Sequence, residues 1–147
     1  MGWDVIAWKD PTSFSRGNQD AFDYQQMLTT HLFEFVDGVH EGDYVFQHDN
    51  ASIHRARATK DFLEDLSIPT IDWPALSPDL NPIENLWWIM ARRVYKNACQ
   101  YSSVGELKTA ILAVWDEISV DLLARLTSSM FDRCIAVVRS EGNTITY

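Results

Sequence analysis

The sequence predicts an α/β domain. Two short apolar segments, Tyr44–His48 and Ile68–Trp73, have the length and composition of strands, and the residues between them have the pattern of an amphipathic helix. Because two strands joined by a helix are usually parallel neighbours in one sheet, this order favours an α/β fold. The last third of the chain carries helical patterns, so we expect the domain to end in a helical part.

Length and composition predict one folded domain. The chain has 147 residues, of which 46% are hydrophobic and 22% are charged. A chain of this size buries about two thirds of its unfolded surface in a single core. No apolar run approaches the roughly 20 residues that a membrane span requires, so we expect no membrane association. Cys99 and Cys134 form no metal-binding pattern with each other or with a histidine, so both thiols are expected to be buried or idle.

The net charge of −9 argues against a protein that binds nucleic acid by electrostatic attraction alone. The charge is unevenly distributed along the chain. Residues 1–48 hold two basic and eight acidic side chains, residues 49–96 hold six and seven, and residues 97–147 hold four and six. The middle of the chain is therefore nearly neutral, and it holds half of all the basic side chains: Arg55, Arg57, Lys60, Arg92, Arg93 and Lys96.

The elements of the first third are predicted from apolar runs and helical spacing. Val5–Trp8 is a short apolar run and a strand candidate. From Asp20 to Phe35 apolar residues recur at helical spacing, and Asp37-Gly38 provides a stop signal. The segment Tyr44–His48 follows as the strand that delivers Asp49 to its end.

The middle of the chain combines a helix, a strand and a rigid loop. The pattern from Arg55 to Leu66 predicts a helix before the Ile68–Trp73 strand. The segment Trp73–Pro82 contains three prolines, so we expect a rigid loop there and neither a helix nor a central strand. Asn81 is predicted to cap a helix from Pro82 to Lys96, and further helices are predicted over residues 104–117, 120–127 and 129–139.

Two acidic residues are candidate metal ligands. Asp49 closes an apolar strand and Glu84 lies in the first turn of a helix, with 34 residues between them. Carboxylates presented from separate elements can converge on one divalent cation, and Mg²⁺ and Mn²⁺ prefer hard oxygen ligands. The sequence therefore predicts a metal site built from these two side chains.

Each candidate also has a purely structural interpretation. Glu84 stands three residues after Asn81, which is the capping-box position whose side chain reaches back to the N–H of the cap. Asp49-Asn50 could form a turn that binds its own backbone. His54 could be a satisfied histidine at a helix start, and the basic residues Arg92, Arg93 and Lys96 could form a solvated helix end. Taken singly, these residues do not establish a mechanism.

Three longer motifs together resemble a known family. They are His48-Asp49-Asn50-Ala51-Ser52-Ile53-His54, Asp72-Trp73-Pro74, and Ser77-Pro78-Asp79-Leu80-Asn81-Pro82-Ile83-Glu84-Asn85-Leu86-Trp87. This succession closely resembles the catalytic core of mariner-superfamily transposases, particularly the nematode-type branch with its spacing between the second and third acids. Shorter similarities continue to Tyr147, so the resemblance covers most of the chain.

The resemblance implies an RNase H-like α/β fold with a helical C-terminal third. It also implies a DDE-type endonuclease of a mobile element, which cuts and rejoins DNA at transposon ends with three acidic residues and two Mg²⁺ ions. By this resemblance Asp49 is the second acid and Glu84 the third, and both are catalytic residues and ligands of Mg²⁺ or Mn²⁺. The partners implied are DNA and a second copy in a homodimer, the location implied is nuclear, and no small-molecule cofactor is implied.

The chain also departs from the family pattern. In the family, the first acid lies on a strand upstream of the segment that resembles Met1–Trp8, and DNA-reading helix-turn-helix domains also occur in the full-length protein. We therefore expect residues 1–147 to form a single partial catalytic domain that lacks the first strand or strands and is inactive alone. Asp4 is not expected to replace the first acid. The alternative is a non-catalytic remnant that acts as a protein-interaction or dimerisation module.

DNA contact is predicted on the helix that carries Glu84. Arg92 follows Glu84 by eight residues, which at 100° per residue brings it within about 80° of the same face. Arg92, Arg93 and Lys96 would then meet phosphates beside the metals, and His54 is a further candidate for DNA contact. A plain solvated helix remains the open alternative for these basic residues.

Overall fold

The computed structural model describes residues 20–32 and 44–146. These residues divide into two compact units. Residues 20–32 and 44–76 belong to the first, here called the N-terminal unit, and residues 77–146 belong to the second, the C-terminal unit. Among the described residues, no helix is both long and apolar enough to span a bilayer. The predicted strand Val5–Trp8 lies outside the described residues.

Helix α1 (Ala21–Met27) opens the described part of the N-terminal unit, and a reciprocal capping box starts it. The Asp23 N–H donates to the Asp20 carboxylate at 2.9 Å, and the Asp20 N–H donates to the Asp23 carboxylate at 3.2 Å. Both bonds satisfy N–H groups that have no partner within the helix. The chain continues as a π-helical turn over Leu28–Leu32. The helix predicted from Asp20 thus begins as expected, and its predicted end lies outside the described residues.

The two predicted strands meet in one parallel β-bridge between Phe46 and Thr70. The Phe46 N–H donates to the Pro69 carbonyl at 2.7 Å, and the Phe46 carbonyl accepts from the Ile71 N–H at 3.1 Å. This is the parallel arrangement that a strand, helix and strand in succession predict. The described ranges contain this isolated bridge and no strand of several residues, so they do not establish the α/β sheet. One physical reason is Pro69, which has no N–H to extend the pairing.

Two helices connect the bridged segments. They are α2 (Ser52–Arg55) and α3 (Arg57–Asp65), and Ala56 separates them with an extended backbone at φ −55° and ψ 138°. The helix predicted from Arg55 to Leu66 therefore occurs as α3 with a break before its first turn. Thr59 and Leu63 form the buried face of α3.

The C-terminal unit is helical, as predicted. Its helices are α4 (Pro82–Val94), α5 (Val104–Asp116), α6 (Val120–Ser128) and α7 (Met130–Arg139). Helix α4 packs on α5 and α6, and its core face recurs every fourth residue at Leu86, Met90 and Val94. The prediction extended α4 to Lys96, but the helix ends at Val94 because the backbone leaves helical angles at Tyr95, with φ −95° and ψ 23°. Asn97, at φ 60°, is left-handed and prevents the helix from resuming.

A buried arginine fixes the proline-rich loop that precedes α4. Arg133 of α7 is 2% exposed, and its Nη1 donates to the Asp79 carbonyl at 2.8 Å while its Nε donates to Ser129 Oγ at 2.9 Å. The Asp79 carboxylate in turn accepts from the Ile145 N–H at 2.8 Å. The loop includes a 3₁₀ turn over Pro78–Leu80. Its geometry thus depends on two segments that follow it by more than fifty residues in the chain.

The two cysteines were expected to be buried or idle, and the structure shows that they are not buried. Cys99 and Cys134 are both exposed free thiols. Cys134 follows the buried Arg133 by one position on α7, and one helical step of about 100° turns its side chain away from the core. The prediction that the thiols form no disulfide and no metal site is compatible with this placement.

Replacement of Arg133 by methionine tests the anchor of the loop. We expect Arg133→Met to lower the free energy of unfolding by about 2–4 kcal/mol, because the Asp79 carbonyl and Ser129 hydroxyl lose a charged donor in a buried place. Urea denaturation followed by circular dichroism measures the change. The control is Arg139→Met on the exposed side of the same helix, and an equal loss in both variants would contradict the anchor role.

Candidate active site

Asp49 lies three residues beyond the bridge residue Phe46, and one of its carboxylate oxygens is held in place. Oδ1 accepts from the Ala51 N–H at 2.9 Å and from His54 Nδ1–H at 2.6 Å. The bond to Ala51 is the turn that the structural interpretation predicted, so that interpretation is confirmed for Oδ1. The Asp49 side chain is 57% exposed, and Oδ2 has no protein partner within the described ranges. The held carboxylate therefore keeps one oxygen available to an external ligand.

His54 orients the Asp49 carboxylate. Because a carboxylate only accepts hydrogen bonds, the 2.6 Å contact places a proton on His54 Nδ1. The His54 side chain is 16% exposed, and its ring packs against Tyr24 with 4.2 Å between the ring centroids. The structure thus shows His54 engaged with Asp49, whereas the predicted contact of His54 with DNA stays a prediction.

The rings of His48 and Tyr24 lie close to the pair of Asp49 and His54. His48 lies 5.2 Å from the ring of His54, and its Nδ1 lies 3.4 Å from the Tyr24 hydroxyl. Burial lowers the pKa of His48, and the neighbouring His54 lowers it further against the opposing effect of Asp49. Burial, followed by the charge of Asp49, raises the pKa of the Tyr24 hydroxyl far above its ordinary value. The neutral forms of both rings are favoured near neutral pH, so His48 does not cancel the charge of Asp49.

Two hydrogen bonds fix the backbone around the His48–His54 motif. The buried Thr59 hydroxyl donates to the Ile53 carbonyl at 2.7 Å, which ties α3 to the turn that carries His54. The Asn50 side-chain amide donates to the Trp73 carbonyl at 2.6 Å, which joins the first two motifs. The roles of Tyr24 and Thr59 were not predicted from the sequence, because both residues fit ordinary helical patterns and nothing local marks their distant partners.

Glu84 lies exposed in the first turn of α4, in the C-terminal unit. The predicted capping box is wrong, since the Asn81 side chain makes no capping bond. The physical reason is the preceding 3₁₀ turn, in which the Asn81 N–H already donates to the Pro78 carbonyl at 3.0 Å and needs no second acceptor. Within the part of the chain that the structure describes, the Glu84 carboxylate has no protein partner, and the positive end of the helix dipole favours its charge. Asn85 beside it has a buried Oδ1 without a hydrogen-bond partner.

The donor chemistry of these residues fits a hard divalent cation. Asp49 and Glu84 each present an exposed carboxylate oxygen without a protein partner among the described residues. They belong to different compact units, and the structure describes each within its own unit. Among the described residues, no three His, Cys, Asp or Glu side chains form a metal-binding group. Convergence of the two carboxylates on a shared cation stays a prediction.

The predicted DNA-contacting residues of α4 have distinct surroundings. The Arg92 guanidinium lies over the Trp88 ring at 4.7 Å from its centroid. Arg93 Nη1 lies 4.0 Å from Glu117 Oε2, a surface ion pair of small energetic value. Lys96 begins a 3₁₀ turn after the helix. In the region covered by the structure, Arg92 and Lys96 form no ion pair, so both remain available to an anionic partner.

Several known proteins are similar in sequence to this chain. The family of DDE superfamily endonucleases matches residues 19–108. The transposable element Tc3 transposase of Caenorhabditis elegans is 42% identical over 153 residues, which cover 99% of this chain and 46% of that protein. The Tc1 transposase of the same organism is 30% identical over 154 residues, which cover 99% of this chain and 55% of that protein. The chain thus spans about half the length of these curated relatives.

Solved structures share the fold. The structure of the Mos1 transposase catalytic domain with raltegravir and Mn matches with a TM-score of 0.75 and 27% sequence identity. The superposed region covers 88% of this chain and 67% of the Mos1 chain. The mariner Mos1 paired end complex with Mg is 26% identical with a TM-score of 0.73, and it covers 88% of this chain and 39% of that chain. The resemblance that the three motifs indicated is confirmed by these relatives.

Loss of the Thr59 hydroxyl tests how the His54 turn is held. We expect Thr59→Val to lower the free energy of unfolding by about 1–3 kcal/mol, because the Ile53 carbonyl loses its buried donor while the side-chain volume is unchanged. The same change should shift the imidazole resonances of His54 in an NMR spectrum. Thr59→Ser keeps the hydroxyl and is the matched control for the His54 resonances. Unchanged His54 signals in Thr59→Val would contradict a role for Thr59 in positioning this site.

Proposed function

Since this chain belongs to the DDE superfamily of endonucleases, within which it matches the catalytic domain of mariner and Tc1 transposases, we propose that it serves metal-dependent cleavage and strand transfer of DNA at transposon ends. The observation that carries the proposal is the Asp49 carboxylate, whose Oδ1 is held by His54 at 2.6 Å while its side chain stays exposed. A carboxylate with one fixed and one available oxygen is suited to bind a cation in a defined orientation.

The proposal includes an RNase H-like α/β core. Its support is the parallel bridge between Phe46 and Thr70, together with the structural similarity to the Mos1 catalytic domain. In such a core the Tyr44–His48 segment would be a strand with Asp49 at its end. The helical C-terminal unit then provides Glu84 from the first turn of α4.

Asp49 and Glu84 would hold the divalent cations. When bound, Mg²⁺ or Mn²⁺ supplies positive charge that stabilises the charge developing on the phosphate during an in-line displacement. The chain's own contribution is to orient the ligands. His54 restricts the rotation of the Asp49 carboxylate, and the turn at Asn81 leaves Glu84 without a capping bond. Neither carboxylate is required to transfer a proton in this scheme.

DNA is the proposed partner, and its backbone would lie along α4. Residues 85–105 contain no Asp or Glu, although the whole chain carries a net charge of −9. No acidic side chain of this segment would therefore repel an anionic partner that binds Arg92 and Lys96. Among solved structures, this proposal is supported by the similarity to the mariner Mos1 paired end complex. A homodimer and a nuclear location belong to the same proposal.

A second function is a protein-interaction or dimerisation module without catalysis. Helix α7 exposes large apolar side chains on one side, with Phe131 71% exposed and Val138 75% exposed. The two residues stand seven positions apart, which places them on one face of the helix. This feature favours the alternative, and metal binding separates the two functions.

Calorimetric titration with Mn²⁺ tests the metal site. We expect a binding heat at millimolar metal, and we expect Asp49→Asn and Glu84→Gln each to weaken affinity more than about tenfold, because each removes a charged oxygen ligand. The control is Asp65→Asn, which removes one exposed charge from the N-terminal unit and should leave affinity unchanged.

The same titration can contradict the proposal in two ways. If the unmodified chain shows no binding heat at several millimolar Mn²⁺, the proposed metal site is contradicted and the interaction module gains support. If Asp49→Asn weakens binding while Glu84→Gln does not, the two carboxylates do not share the bound cation.

The salt dependence of DNA binding tests the basic end of α4. We expect the affinity for duplex DNA to fall steeply with salt, and Arg92→Ala to reduce the slope of log affinity against log salt by about 1, because one phosphate contact is lost. Fluorescence anisotropy at several salt concentrations measures the slope. Arg125→Ala on α6 removes an arginine that is 70% exposed and pairs with Asp121, and it serves as the matched control. An identical slope for Arg92→Ala and the unmodified chain would favour the plain solvated helix.

A further inference from the structure

The outer face of α4 forms a groove whose chemistry goes beyond phosphate binding. The groove, here called the α4 groove, has a volume of about 510 Å³ and is lined by Trp88, Ala91, Arg92, Tyr95, Lys96 and Asn97. Spacings of three, four, seven and eight residues place the first five of these on one face of a helix or directly after it. The small side chain of Ala91 lies between the two aromatic positions.

Both aromatic side chains of the groove are exposed and both are held. Trp88 is 60% exposed although the Arg92 guanidinium lies 4.7 Å over its ring, so the rest of the indole is open to solvent. Tyr95 is 52% exposed and contacts Tyr101 edge-on, with 5.9 Å between the ring centroids. The Tyr101 hydroxyl donates to the Val94 carbonyl at 2.5 Å, which fixes Tyr101 at the end of the helix. Each ring thus contacts one protein group and remains more than half exposed to solvent.

Neither ring contributes to the core. The core face of α4 is formed by Leu86, Met90 and Val94, which are 0%, 4% and 6% exposed. Exposure of two large aromatic rings on the opposite side leaves apolar surface in water, which is unfavourable by itself. A ligand that covers the rings would explain their placement, whereas phosphate binding by Arg92 and Lys96 would not.

The charges of the groove restrict the class of ligand. Arg92 and Lys96 alternate with the aromatic residues, and neither has an acidic partner among the described residues. A wholly apolar partner would leave these cations buried and unpaired, which is costly. A planar aromatic group attached to a phosphate satisfies the rings and the cations together, and this combination is a nucleotide.

We propose that the α4 groove binds single-stranded DNA, with an unpaired base stacked on Trp88 and the adjoining phosphates bound by Arg92 and Lys96. The inference rests on the proposed function in DNA transposition and adds to it a subsite for unpaired bases. Stacking on an aromatic ring accepts any base, so the subsite has no strong sequence preference.

Two single-stranded probes test the subsite. One is a labelled oligothymidylate of about 12 nucleotides, and the other is an abasic strand of the same length with the same phosphates. We expect the unmodified chain to bind the oligothymidylate at least about fivefold more tightly than the abasic strand, measured by fluorescence anisotropy without added metal. Equal affinity for the two strands would overturn the proposal independently of any variant.

Variants then assign the preference to Trp88. We expect Trp88→Ala to weaken binding of the oligothymidylate by about 5- to 150-fold and to leave binding of the abasic strand within about twofold. Trp88→Phe should restore part of the loss, because a smaller ring still stacks. Phe131→Ala removes an exposed aromatic ring of α7 and should change neither affinity. Arg92→Ala should weaken both probes, because it removes a phosphate contact.

Two outcomes would contradict the assignment to Trp88. An equal loss for both probes in Trp88→Ala would show that the indole only supports the Arg92 guanidinium. Unchanged affinity for both probes would show that no base lies on this ring. The assay involves neither metal nor the residues Asp49 and Glu84, so its failure would leave the metal site intact. Loss of Mn²⁺ binding with a retained base preference would instead remove the metal site and keep the α4 groove.

Discussion

The buried guanidinium of Arg133 is the constraint from which the geometry around Glu84 follows. A charged side chain that is 2% exposed must be provided with hydrogen-bond acceptors, and the Asp79 carbonyl and the Ser129 hydroxyl are two of them. The bond to Asp79 holds the proline-rich loop in the conformation whose 3₁₀ turn occupies the Asn81 N–H. Because this N–H is already satisfied, the Glu84 carboxylate has no capping partner to bind. A buried contact on α7 thereby leaves an exposed carboxylate at the start of α4.

The N-terminal unit reaches a comparable result by a different route. There the carboxylate of Asp49 does take part in the local turn, but through Oδ1 alone, where the Ala51 N–H and His54 Nδ1–H both donate. The turn and the ligand role are therefore compatible for Asp49, since each uses a different oxygen. For Glu84 the structural interpretation is wrong, since its supposed partner is occupied. In both places the fold satisfies the neighbouring polar groups and leaves a carboxylate oxygen to an external ligand.

Helix α4 has two faces of different composition, one apolar and buried and the other aromatic and basic. Residues at every fourth position form a buried apolar face that packs on α5 and α6, and this packing fixes the axis of the helix. The opposite side is free of packing demands and carries aromatic and basic residues together. The helix therefore joins a candidate metal ligand at its start to a candidate nucleic-acid surface toward its end.

The sequence by itself determined the features that depend on local pattern. The helices α4 to α7 were predicted within about two residues at each end, because their apolar spacing and helix-start residues are local signals. The long motifs around Asp49 and Glu84 were sufficient to indicate the transposase family, which the relatives confirm.

Only the tertiary structure decided the burial of Arg133 and the packing of Tyr24 against His54. It also decided the bond from Thr59 to Ile53 and the missing capping bond of Glu84. Arg133 and Asp79 are 54 positions apart and Tyr24 and His48 are 24 apart, and no local period in the sequence reports contacts over such distances. The two strands were also predicted from local pattern, but their pairing depends on a distant segment. The described residues show this pairing as one parallel bridge between Phe46 and Thr70.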